Sequence, residues 1–143
     1  MAGYQFSLDA ELSDIPRFLD WVAQTCAAEG LPADDAFKLT LALEEAVTNV
    51  VNYAFSGTPP PHRVVVRLLA EAARVVGEVI DNGAPFDPLA EAPPDLSRPL
   101  AERAPGGLGI HLLRTVMDRV EYRREDGHNR LILEKRLSSD QGR

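Results

Sequence analysis

The chain is predicted to fold as one α+β sandwich, a mixed but mainly antiparallel sheet with its helices packed on one face. Three observations carry this. The length of 143 residues fits a single domain. The segments read strand, helix, helix, strand, strand, long loop, helix, strand, strand, and neighbouring strands are joined by short turns rather than helical crossovers. With 45% hydrophobic residues the chain can also bury a core of its own, since a domain of this size hides about 68% of its unfolded surface.

Residues 4–8, Tyr-Gln-Phe-Ser-Leu, alternate apolar and polar, which predicts a short edge strand. Ser13 is the expected N-cap of a first helix, with Pro16 in its first turn and an apolar run of Phe18, Leu19, Val22, Ala23 and Cys26 that stops at Gly30. Pro32 and the acids Asp34 and Asp35 open a second helix, where negative charge suits the positive end of the helix dipole, and this helix runs to about Ala54. The prolines of 59–61 end it. Val-rich segments 62–70 and 74–80 read as two strands with Ala72 and Ala73 at their hairpin. Residues 84–106 hold six of the 11 prolines and no periodicity, so a long functional loop or lid is expected there. A third helix over 110–118 and strands at 120–124 and 131–137 complete the domain, with Asp126-Gly127 as a hairpin signal. The tail 138–143 is expected to fray.

Composition excludes several functions. Against 15 Lys and Arg stand 22 Asp and Glu, a formal charge of −7, which opposes direct nucleic-acid binding because that affinity comes largely from cations neutralising phosphates. No segment has the apolar length of a membrane span, and residues 1–6 lack the basic and apolar regions of a signal peptide. Cys26 is the sole cysteine; it cannot pair internally, and its spacing among Val22, Ala23 and Ala27 predicts a buried apolar role, so a cytoplasmic location is expected. His62, His111 and His128 have no metal-ligand spacing.

Three patterns can carry chemistry. On the second helix, Leu39, Leu43, Val47, Val50 and Ala54 form an apolar stripe, and at 100° per residue Glu45, Asn49 and Asn52 fall on the other side. An ordinary solvated face would look the same. Yet Asn costs helix propensity without a packing gain, and an acid one turn before a carboxamide offers a general base and a neutral oxygen ligand for a hard cation. The strand ending Val79-Ile80-Asp81-Asn82-Gly83 reads either as a plain turn or as a half-buried acid placed to accept a bond from an exocyclic amine such as adenine's, with Gly83 letting the ring approach the backbone. Gly106-Gly107-Leu108-Gly109 opens a helix whose free N–H groups can hold phosphate without a lysine; a flexible hinge is the alternative.

Taken in order, Leu43-Glu-Glu-Ala-Val-Thr-Asn49, Asp81-Asn-Gly83 and Gly107-Leu-Gly-Ile110 resemble the N box and the two glycine boxes of the Bergerat-fold superfamily of gyrase, histidine kinases and heat-shock chaperones. Within it, Glu-Ala-Val-Thr-Asn, the Asp81-to-Pro88 run and Gly-Gly-Leu-Gly-Ile-His are similar to the anti-sigma-factor serine kinases of bacteria. The resemblance covers about residues 35–137. It implies the Bergerat α/β sandwich, ATP and Mg²⁺ as cofactors, Glu45 as catalytic base and Asn49 as ligand of Mg²⁺ and nucleotide. It further implies Asp81 and Gly83 at the adenine, and Gly107, Leu108 and Gly109 at the phosphates beneath the lid. It implies a protein-serine kinase whose partners are a sigma factor and an anti-sigma antagonist carrying the acceptor serine, and it allows a homodimer. A nucleotide-gated binding module without phosphoryl transfer is the alternative. Two departures matter. Ala84-Pro85 follows Gly83 where histidine kinases have a second glycine, which with the length of this chain argues against autokinase activity in cis. Asn129 also lies in the stretch where many relatives place a threonine near adenine.

Overall fold

The computed structural model describes residues 2–90 and 107–138. Strands β1 (Ala2–Leu8), β2 (Val64–Ala70), β3 (Arg74–Asp81), β4 (Arg119–Glu125) and β5 (His128–Arg136) form one sheet of order β1-β2-β3-β5-β4. Every neighbouring pair is antiparallel. Helices α1 (Ile15–Ala28), α2 (Ala33–Asn49) and α3 (Gly107–Val116) pack together on one face, as the segment order predicts.

The alternation of the strands builds that packing. On β2, Val64, Val66, Leu68 and Ala70 are buried while Arg67 between them is exposed. Their inward faces meet Phe18 and Val22 of α1, Leu39, Leu43 and Val47 of α2, and Leu113 of α3 in one cluster. Phe18, Leu39, Leu43 and Val47 are fully buried, so truncating any of these Leu or Phe residues to Ala costs about 2–5 kcal/mol. Cys26 lies free in this core, as its spacing predicts, and burial pushes its thiol pKa up.

Most boundaries fall within a few residues of expectation. β1 starts at Ala2 and is an edge strand. Ser13 does not cap α1: it sits in a 3₁₀ turn, Leu12–Asp14, and Asp14 takes the N-cap position with Pro16 just inside the helix. The hairpins sit where predicted, Glu71 N–H bonding Arg74 O at 2.9 Å around Ala72 and Ala73, and Asp126 and Gly127 both adopting positive φ (52° and 77°) between β4 and β5. β5 begins three residues earlier than its apolar run, because pairing with β3 carries it through Asn129.

Helix α2 does not stop at Asn49. The chain continues through Val50–Ala54 as a wider π turn, so the helical course reaches Ala54 as read from the sequence. Such turns often stand beside functional sites. Here the Ala54 carbonyl accepts the Ala84 N–H at 3.0 Å, joining the end of α2 to the segment that leaves β3.

Candidate functional site

Where α2 passes over the ends of β3 and β5, a cleft is lined by Ala46, Asn49, Val50, Val79, Asp81, Phe86, Pro88, Tyr122, Asn129 and Leu131. Its free volume is about 10 Å³, roughly the space of one water molecule. The walls are apolar, with three buried polar side chains, Asn49, Asp81 and Asn129, among them.

Asn49 is 4% exposed. The helical wheel placed it opposite the apolar stripe with Glu45 and Asn52, but α2 also buries Ala42 and Ala46, which widens the covered face until Asn49 lies inside its border. Its Nδ2 makes no hydrogen bond of good geometry among the described residues, but it faces the Glu45 carboxylate closely enough to lower that acid's pKa, so the amide is loosely held rather than isolated. Glu45, one turn earlier, is half-buried and lies outside the cleft lining. Burial first, and the charge of Glu44 second, raise its pKa, with the Asn49 carboxamide offsetting part of the effect. Asn52 is exposed and takes no part in the cleft.

Asp81 closes β3 and is 2% exposed. Its Oδ1 accepts the Gly83 N–H at 2.8 Å and the Asn129 Nδ2 at 2.9 Å. Burial raises its pKa, while Asn129, the Gly83 amide, Arg124 and His128 act in the opposite direction. Among the described residues its Oδ2 receives no hydrogen bond. Gly83 has a packing reason beyond the one its motif implies: a Cβ there would stand 2.3 Å from the Ala54 carbonyl oxygen. Only glycine fits between the end of β3 and the end of α2.

Gly107, Leu108 and Gly109 form the first turn of α3, so the glycine box begins the helix rather than preceding it. Within the lid expected over 84–106, residues 84–90 are described: Phe86 and Pro88 line the cleft, Pro88–Ala90 form a 3₁₀ turn, and Leu89 O accepts Arg114 Nη2 of α3. Arg98 and Arg103, the only basic residues between Arg74 and the second glycine box and so the expected lid's candidates for closing over the terminal phosphate, lie outside the described residues.

The sequence pattern did not mark Tyr122, included Phe86 only as part of the Asp81-to-Pro88 run without a role, and marked the stretch around Asn129 only as a departure. One local signal bears on this: the Asp126-Gly127 hairpin sets the β4–β5 register that brings Tyr122 to Asn129. The β3–β5 register that places Asn129 opposite Asp81 joins strands distant in sequence and has no local signal.

Residues 8–135 match the model of the histidine kinase-like ATPase domain. The chain belongs to this family. Its relatives identify the branch: it is 37% identical over 117 residues to the serine/threonine-protein kinase BtrW of Bordetella bronchiseptica, covering 80% of each chain. It is 29% identical over 102 residues to the serine-protein kinase RsbW of Bacillus cereus, covering 68% of this chain but 62% of that one, less than two thirds of its length. With these relatives the chain falls among the anti-sigma-factor kinases, as a protein serine kinase by class, and family membership implies use of ATP. The fold agrees. The RsbU and RsbW domains of Rv1364c from Mycobacterium tuberculosis superpose with a TM-score of 0.69 at 18% identity, over 97% of this chain and 33% of that one. The histidine kinase domain of the Erythrobacter litoralis EL346 blue-light activated kinase gives 0.57 at 16% identity, over 87% of this chain and 60% of that one. The five-stranded antiparallel sheet with its helices on one side is therefore the Bergerat sandwich implied by the motifs.

The cleft's side chains have the chemistry an adenine nucleotide needs, although the space between them, that of one water molecule, has to widen to admit the ring. An apolar slot ends on the Asp81 carboxylate, whose Oδ1 takes both protein hydrogen bonds, and at its other side lies the buried Asn49 carboxamide. No group of three His, Cys, Asp or Glu side chains that could hold a metal occurs among the described residues. A cation here would take one amide oxygen and otherwise water and phosphate, which suits Mg²⁺.

Proposed function

We propose that the chain is an ATP- and Mg²⁺-dependent protein-serine kinase of the partner-switching kind, which binds a sigma factor and phosphorylates an anti-sigma antagonist in the cytoplasm. One observation carries this reading: a half-buried acid with a raised pKa, Glu45, stands one helical turn from the buried Asn49 of a cleft that ends on Asp81. Asp81 Oδ2 accepts the adenine amine, and Val50, Val79 and Leu131 line the slot for the ring. The Asn49 carboxamide holds the metal and phosphates, and the N–H groups of Gly107, Leu108 and Gly109 complete the phosphate cradle at the start of α3. Mg²⁺, when bound, neutralises charge on the transferred group.

Glu45 receives the proton of the antagonist's serine hydroxyl as that oxygen bonds the terminal phosphorus and the bond to ADP breaks. The products are phosphoserine and ADP. A raised pKa brings the base closer to working pH, which favours proton transfer. Glu45→Gln keeps size and surface but removes the base. Nucleotide affinity and sigma-factor binding should persist while phosphorylation of the antagonist, followed by mass spectrometry, falls about 10²- to 10⁴-fold. A variant that phosphorylates at the original rate removes Glu45 from the mechanism. An unaltered chain that binds ATP and partner without transferring phosphate is a nucleotide-gated module instead.

A further inference from the structure

The helices cover one face of the sheet and leave the other open. On the open face a hollow of about 300 Å³ has Val65 and Ile80 as its floor, with Arg63, Arg67, His128 and Arg130 around them. The strand register makes this grouping, because Val65 pairs with Ile80 and Ile80 with Arg130. Arg63 and Arg67 lie two residues either side of Val65, and His128 two before Arg130, so the alternation sends all four to the same face. Asp81 also borders the hollow, but its carboxylate is turned to the helix side, where Gly83 and Asn129 hold it.

The three guanidiniums differ in their surroundings. Arg130 donates from Nη1 to Glu78 Oε2 at 2.8 Å, and Glu125 Oε1 lies 3.4 Å from its Nε, so two carboxylates offset its charge. Arg67 has a neutral partner, donating from Nε to Gln5 Oε1 at 3.1 Å. Arg63 is exposed, and its backbone N–H is tied to Asn82 Oδ1 at 2.9 Å. Neither Arg63 nor Arg67 forms an ion pair among the described residues. In a chain with 22 acids against 15 Lys and Arg, two unpaired guanidiniums thus stand beside a third and an imidazole. Like charges gathered this way lower stability until an anion joins them.

We propose that this hollow binds a phosphate-class anion, either inorganic phosphate or a phosphate monoester. A phosphate monoester carries about −1.5 to −2 charge at pH 7 and three strong acceptor oxygens, enough for two guanidinium forks; a carboxylate brings one charge and two oxygens. Arg67 is anchored through Nε and keeps both Nη groups unbonded among the described residues, which leaves a preset fork. Glu78 and Glu125 bound the positive area on the side of Arg130, which confines it to one small anion and leaves no track for a nucleic-acid backbone. The site is separate from the nucleotide cleft on the helix side of the sheet, and it stands whether or not that cleft takes ATP.

The test titrates the full chain with inorganic phosphate and with N-acetyl-O-phosphoserine amide, at an ionic strength held constant with sodium chloride so that general screening does not change. Backbone amide chemical shifts give the location and the affinity, and the melting temperature gives the linked stability. The amides of Arg67, Ile80 and His128 should move and saturate together while Ala46 and Val50, on the cleft side, stay still, and the melting temperature should rise. Joint replacement Arg63→Gln and Arg67→Gln should weaken binding at least about 10-fold, the scale of one charge-assisted hydrogen bond. Arg67→Lys, which keeps the charge and loses the fork, should fall in between. Arg17→Gln with Arg136→Gln makes the same change in net charge away from the hollow and should leave the affinity unchanged.

Tighter binding of the phosphoserine compound identifies a phosphorylated protein as the source of the anion, and tighter binding of inorganic phosphate identifies the free ion; both uphold the site. Shifts reproduced by chloride alone, undiminished affinity after the Arg63 and Arg67 replacements, or an equal loss after the Arg17 and Arg136 replacements overturns the proposal. So does phosphate that moves Ala46 and Val50 and leaves Arg67 still. A chain that runs as a dimer, with the hollow's amides protected and unresponsive to phosphate, assigns this face to a second copy and overturns it as well.

Discussion

Replacing Asp81 by Asn should separate what the fold needs from what the nucleotide needs. Both hydrogen bonds that the protein directs at this carboxylate, from Gly83 N at 2.8 Å and Asn129 Nδ2 at 2.9 Å, go to Oδ1. An asparagine oxygen can keep both. The substitution also removes a charge from a site that is 2% exposed and whose pKa burial has raised. An acid with a raised folded-state pKa folds best when protonated, so its charge lowers stability as the pH climbs above the ordinary aspartate range and keeps it lower at neutrality. Without nucleotide, the melting temperature of Asp81→Asn at pH 7 should therefore hold or rise. Binding should behave oppositely, because the amide now presents N–H groups to an amine that needs an acceptor. Losing one hydrogen bond to a charged group costs about 1.5–3 kcal/mol, or roughly 10- to 150-fold in affinity. At ATP 100 times its dissociation constant the unaltered chain gains about 2.7 kcal/mol, near 10 °C at ~4 °C per kcal/mol. With affinity reduced about 100-fold, the same ATP concentration gives about 0.4 kcal/mol, or roughly 2 °C. Differential scanning fluorimetry with ATP and with GTP reads all of these. An undiminished ATP shift in Asp81→Asn, or equal ATP and GTP shifts in the unaltered chain, would refute Asp81 as the reader of the base.

Three further outcomes follow from neighbouring geometry. Gly83→Ala should destabilise by about 1–3 kcal/mol, the usual scale of overpacking, because its Cβ would stand 2.3 Å from Ala54 O and 2.9 Å from Ala54 C, both backbone atoms; chemical denaturation measures it, and unchanged stability would mean the two ends move apart freely. Asn49→Ala removes a buried amide with no partner among the described residues, so the nucleotide-free melting temperature should change little while calorimetric affinity for ATP with Mg²⁺ falls at least about 10-fold; a large loss of stability with affinity intact would assign Asn49 to the fold instead. Asp118 accepts the Arg136 N–H at 2.6 Å, and this bond, helped by Lys135, holds its pKa below the usual 3.8. Its contribution is present above that value and lost as the pH falls below it, so the melting temperature of Asp118→Asn measured from pH 6 to pH 3 should decline less steeply than that of the unaltered chain.

The fold was legible in the sequence because its signals are local. Alternating Val runs, the Asp126-Gly127 turn and the apolar stripe of α2 each decide their own segment, and hairpin order then leaves an antiparallel sheet. The covered width of α2 was not legible. Ala42 and Ala46 are too small to mark a stripe, yet they let β3 and β5 come close enough to bury Asn49. Ser13 looked like a cap because a hydroxyl before an apolar run usually is one; the 3₁₀ turn at Leu12–Asp14 moves the cap one residue on. Asn129 escaped for a different reason. Its partners are 48, 45 and 43 residues away at Asp81, Ala84 and Phe86, and no period along the chain reports a register between distant strands.

The buried polar groups sort by whether their bonds are complete, and that division locates the site more sharply than their types do. Asp35, 1% exposed, accepts Ser138 N at 2.6 Å and Ser138 Oγ at 3.1 Å with Lys135 Nζ 3.7 Å away, so it ties the end of β5 to the start of α2 and has little left to offer. Asn129 is likewise fully engaged. Asn49 and Asp81 are buried as deeply and both line one apolar cleft: Asn49 Nδ2, with Arg130 Nε outside the cleft, is a buried atom without a partner among the described residues, and both protein hydrogen bonds to the Asp81 carboxylate go to Oδ1. A fold of marginal stability does not keep unpaired polar atoms in its interior without a reason, because each costs as much as a sizeable fraction of an apolar contact. Within the cleft the α2 wall carries one such atom, Asn49 Nδ2, and the β3 wall carries the Asp81 carboxylate whose Oδ2 takes no hydrogen bond among the described residues, a pairing that suits a ligand with an amine at one end.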